Sequence, residues 1–97
     1  MTRRLEYSTA VKHDVDGILS YIARDKPGAA VRFAARLRAR CELLVKNPLV
    51  GEDCSLLRPH MRRITIAGYL IFFRADDEKV EIIRIIHGAR DWGSLFD

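Results

Sequence analysis

The sequence predicts an α+β fold: an N-terminal strand, then an antiparallel helical hairpin packed on an antiparallel β-sheet, in the order β-α-α-β-β-β. Three observations carry this. Two stretches repeat apolar residues at helical spacing and are separated by a Pro-Gly break. Three later stretches are apolar at strand length and are joined by tight polar turns. Helices grouped ahead of a meander make an α+β arrangement, because both helices must bury their stripes on one sheet face. The 97 residues, 48% apolar and 31% charged, fit a single domain over 1–97 and do not describe a disordered chain. The longest apolar run, Tyr69 to Phe73, is far too short to span a bilayer.

Residues 3–8 alternate at Leu5 and Tyr7 and read as a strand. Thr9 offers a hydroxyl cap. Val11, Val15, Ile18, Leu19 and Ile22 then recur at helical spacing, which predicts a helix over 10–24. Asp25-Lys26-Pro27-Gly28 breaks and restarts the chain, since proline fits a first helical turn. Ala30, Ala34, Leu37, Cys41 and Leu44 form the stripe of a second helix over 27–46, widened by Val31 and Val45. Arg32, Arg36 and Arg40 lie together on another of its faces. Asn47-Pro48 ends it, and 47–57 reads as a loop. Strands over 62–66, 69–74 and 80–87 follow, separated by Ala67-Gly68 and Asp76-Asp77-Glu78. The middle strand is apolar on both faces and belongs at the centre of the sheet. Trp92, Leu95 and Phe96 are spaced for one helical turn after Gly88.

The net charge of +4 is uneven. Residues 24–46 carry seven basic and two acidic side chains, which suits an acidic partner, either nucleic acid or protein. Cys41 and Cys54 make no disulfide framework and no metal spacing, so reduced thiols, no metal and no cofactor are expected. The start, Met1 to Glu6, has basic residues but no apolar run after it, so no secretory signal is expected.

Arg84 stands between isoleucine pairs in Glu81-Ile82-Ile83-Arg84-Ile85-Ile86-His87. Strict alternation puts it on the face of Val80, Ile82 and Ile86, where a charge must be paired or reach water. Arg62, Arg63, Arg74 and Arg84 all come from the sheet, and two or more of them could converge on a phosphate or an acidic segment. His87 ends the last strand and could act as an acid or a base. No phosphate loop, nucleophile elbow or paired-carboxylate motif is present.

The stretch from Arg62 through Tyr69-Leu70-Ile71-Phe72-Phe73-Arg74, followed by Arg84-Ile85-Ile86-His87-Gly88-Ala89-Arg90-Asp91, resembles the ParE branch of the RelE/ParE toxin superfamily. The helix over Ala10 to Ile22, Asn47-Pro48 and Gly51 fit the same layout. The resemblance implies the toxin of a bacterial type II toxin–antitoxin pair, cytoplasmic, in a hetero-oligomer with an antitoxin that alone carries operator-DNA binding. It further implies, for the ParE branch, poisoning of DNA gyrase without catalysis. For the RelE branch it implies a ribosome-dependent mRNA endonuclease, for which Arg62, Arg84 and His87 are the available groups. The RelE pattern of paired lysines is absent, since no lysine lies between Lys46 and Lys79. The poison is therefore the favoured reading. Its target and antitoxin surface is expected at Arg62, Arg63, Arg74, Arg84, His87, Arg90, Asp91 and Trp92.

Overall fold

A computed structural model describes residues 3–89 of the chain. A short strand, β1 (Arg4–Tyr7), leads into α1 (Thr9–Asp25) and α2 (Pro27–Lys46), which are joined by Lys26. A turn of 3-10 helix (Pro48–Val50) and a two-residue strand, β2 (Glu52–Asp53), precede the meander β3 (Met61–Ile66), β4 (Tyr69–Ala75) and β5 (Lys79–His87). The five strands lie in the order β1-β5-β4-β3-β2, so β4 is central, as its apolar faces require.

Four expectations are refined. The helix cap is Ser8, one residue before Thr9; its hydroxyl accepts the Val11 N–H at 3.0 Å. The sheet is mixed, because β1 runs parallel to β5 while β2 to β5 pair antiparallel. The chain must climb through the helical hairpin between β1 and the meander, and such a crossover permits parallel pairing. The loop over 47–57 contains a fifth strand, fixed by Glu52 and Asp53 against Arg63 and Arg62. Val31 does not widen the buried stripe, since it is 71% exposed.

The turns follow from their residues. Ala67 and Gly68 both take positive φ (49° and 84°), the geometry that matches strand twist in a two-residue hairpin. Asp76 Oδ1 accepts from the N–H groups of Glu78 and Lys79 at 2.8 and 2.9 Å, and these bonds hold its carboxyl below the usual carboxylate range.

The sheet separates two cores. Val11, Leu37, Cys41 and Leu44 of the helices pack on Ile64, Ile71, Phe73, Val80, Ile82 and Ile85. On the other face Met61, Leu70, Phe72, Ile83 and Ile86 pack, among the described residues, with Cys54 and Leu57. Gly51 is buried where the loop crosses β3 and β4. A Cβ there would lie 2.8 Å from Phe73 Cζ and 2.9 Å from the Arg63 carbonyl oxygen. A backbone atom cannot swing aside, so Gly51→Ala is expected to cost about 2 kcal/mol through overpacking. A lowered urea midpoint would show this; an unchanged midpoint would contradict it.

Candidate partner-binding surface

The sheet arginines do not share one face. A register shift between Phe72 and Phe73 pairs them with Arg84 and Ile82 and leaves Ile83 as the extra residue. The alternation therefore breaks: Ile82 faces the helix-side core, while Ile83 and Ile86 face the other. The placement of Arg84 beside both Ile82 and Ile86 is corrected by this bulge. Beyond Ile82 no described strand pairs with β5 on its β1 side, and α1 closes that edge instead. Ser8 Oγ donates to the Ile83 carbonyl at 2.7 Å, and Asp14 Oδ2 accepts the Ile85 N–H at 3.0 Å. Arg84 turns round this edge and grips Asp14 through Nε and a terminal nitrogen at 2.8 and 2.9 Å. That hydrogen bonding raises the guanidinium above its ordinary value and makes Arg84 a staple between sheet and helix.

Arg62 shares the helix-side face with Ile64, and a terminal nitrogen donates to the carbonyls of Leu49 and Gly51, holding the loop to β3. Arg63 pairs with Glu52 at 3.1 Å and Arg74 with Glu81 at 3.3 Å. Arg74 and Arg84 do come together, around a hollow of about 320 Å³ that Arg58, Glu81, Ser8, Ala10 and Ile83 also line. Arg58 went unnoticed in the sequence because it sits in an irregular segment with no periodicity to place it. Arg62 is elsewhere, two strands away from His87 and roughly 13 Å further along the sheet.

His87 is exposed at the end of β5. Its Nδ1 accepts the Ala89 N–H at 3.1 Å, and its ring edge meets Tyr69 at 5.2 Å, with Phe33 of α2 beyond at 5.3 Å. Its other nitrogen carries the hydrogen in the neutral ring. Arg62, Arg84 and His87 are thus not assembled around one reacting position. Arg90, Asp91 and Trp92, with the helical turn expected at Trp92 to Phe96, lie outside the described residues.

The helical hairpin carries an open apolar groove. Leu19, Ala23, Ala30, Val31 and Ala34 line about 610 Å³ between α1 and α2, with Arg38 at its rim. It continues past Leu19, Val15 and Val11 to Tyr7. Tyr21, Val31 and Leu49 are at least 70% exposed. The sequence held one signal of this groove: Val31 sits at the margin of the α2 stripe, where a valine is either covered by the fold or left for a partner.

Cys41 is fully buried, and burial pushes its thiol up to about 11, so it is a core residue and no nucleophile. Among the described residues no cluster of histidine, cysteine and carboxylate side chains could hold a metal. No helix among them is long and apolar enough to cross a membrane.

Residues 5–92 match the family model described as ParE toxin of type II toxin-antitoxin system, parDE, and the chain belongs to that family. It is 32% identical to toxin ParE1 of Caulobacter vibrioides over 82 residues, covering 82% of this chain and 83% of the relative. It is 31% identical to toxin RelE2 of the same organism over 77 residues, covering 79% and 85%. The fold is also that of a chain from the chromosomal ParDE TA system from P. aeruginosa, with a TM-score of 0.75 at 18% identity over 89% of this chain and 96% of that one.

Proposed function

We propose that this toxin binds DNA gyrase in the bacterial cytoplasm and stabilises its cleaved DNA complex, and that a cognate antitoxin holds it inactive. The observation that carries the reading is the dispersal of the groups an RNase would need. Arg84 is committed to Asp14, Arg62 to loop carbonyls, and His87 stands apart from both. Cleavage through a ribose hydroxyl needs a base, an acid and a cation at one phosphate. A poison needs only a surface that prefers one state of its target. Family membership and the ParE1 relative support the same reading.

The antitoxin reading rests on the apolar groove. A disordered apolar and acidic segment that folds on binding would fill the space between α1 and α2 and face Arg38. Arg62, Arg63, Arg74, Arg84, His87, Arg90, Asp91 and Trp92 are the proposed contacts to target or antitoxin. Operator recognition is left to the antitoxin.

Purified toxin with gyrase, ATP and supercoiled plasmid is expected to yield linear DNA once the complex is denatured. Unchanged plasmid at high toxin excess would sink the reading. The RelE2 relative motivates the second reading, an mRNA endonuclease. A translating extract run in parallel would favour it through codon-position cuts that disappear in His87→Ala.

A further inference from the structure

Arg32, Arg36 and Arg40 are unlike the sheet arginines in one respect. None of their side chains makes a hydrogen bond or an ion pair with another described residue. They recur every four residues, so their stems leave α2 in one row with a rise of about 6 Å per step. Going round the helix from buried Leu37, Phe33, Arg40, Arg36 and Arg32 follow on one side, while Ala34, Arg38 and Val31 follow on the other. The row is therefore on the flank turned away from the apolar groove, whose lining includes Arg38 and none of the three. The only acidic residue of α2, Glu42, is on the groove side. Ala39 occupies the outward back of the helix next to the row, so a wide ligand can approach it closely.

We infer that this row is a docking surface for the phosphate backbone of duplex DNA. Three guanidiniums in line, unpaired among the described residues and with Leu43 as the one exposed large apolar side chain on their flank, suit a backbone contact that reads no sequence. An acidic peptide would gain less there, because peptide affinity comes from clustered apolar anchors, and apart from Leu43 those line the groove on the opposite flank. The neighbouring rings Phe33, Tyr69 and His87 pack on one another and offer no row of open faces to unstacked bases. The inference deepens the gyrase reading and rests on it for its biological setting: the toxin would touch the DNA held by its target as well as the enzyme.

The test is anisotropy of a short labelled duplex of arbitrary sequence, titrated with the whole chain at several salt concentrations and without gyrase. Binding at low salt is expected to weaken steeply with salt. Its log–log slope is expected to fall by about one for each arginine removed in Arg32→Gln, Arg36→Gln and Arg40→Gln. Glutamine keeps helix propensity, and circular dichroism confirms the fold. Arg4→Gln with Lys79→Gln, on the β1 edge, is expected to leave the slope unchanged. No binding at low salt, tighter binding of single strands, or an equal drop in the β1-edge control would overturn the inference. So would a triple variant that keeps the duplex and loses only poly-glutamate. Plasmid linearisation by gyrase without any duplex binding would sink the row and spare the gyrase reading. Duplex binding without linearisation would do the reverse.

Discussion

Asp14→Ala is expected to lower stability by about 3 kcal/mol, the range for breaking a pair that is largely out of water. The Arg84 and Asp14 side chains are 22% and 12% exposed, so the guanidinium left behind has little water to replace its partner. The Ile85 N–H loses its acceptor in the same step, and an unsatisfied amide at a covered strand edge costs more than a lost surface contact. For a domain of this size the midpoint of thermal unfolding should drop by on the order of 15 °C. Asp14→Asn should cost less, because its side-chain oxygen can still accept from Ile85. Arg84→Ala should also cost less, because Asp14 keeps that same bond. A double-mutant cycle by chemical denaturation separates the two contributions. If Asp14→Ala changes stability by less than about 0.5 kcal/mol, the ion pair is only a surface contact and the edge is closed by something else.

The elements were legible where a single period ran long enough. Val11 to Ile22 and Ala30 to Leu44 gave both helices, and the apolar run Tyr69 to Phe73 placed the central strand. Arg84 was the informative failure. Its sequence neighbours show that a charge there needs a partner, but the partner is 70 residues away, and no local pattern links Asp14 to it. The bulge at Ile83 was equally hidden, since two isoleucines on each side of Arg84 are compatible with either phase of the pleat. The parallel pairing of β1 depends on where the hairpin delivers the chain, which the spacing of Leu5 and Tyr7 does not encode. The candidate surface divided in the same way. Residue types named the cations, but whether each was free or already paired depended on contacts across the fold, and this distinguishes Arg36 from Arg84.

Phe72→Ala and Phe73→Ala should each cost about 3–5 kcal/mol, since both rings are completely buried and adjacent in one strand. They point to opposite cores, so their local consequences should differ. Phe73 is held under α2 and against Gly51, and its loss loosens the helix-side core that contains Cys41. Phe72 packs in the other cluster with Cys54 and Leu57, which sit on an irregular segment with little structure of its own to resist opening. Burial raises both thiols, so in the parent both should react slowly with a thiol reagent near neutral pH. Phe72→Ala should speed the reaction of Cys54 well beyond that of Cys41, and Phe73→Ala should shift the balance toward Cys41. Mass spectrometry of the labelled peptides reads the two rates separately. Equal acceleration of both cysteines in both variants would mean that the two faces open together, and the sheet would then not be the partition described above.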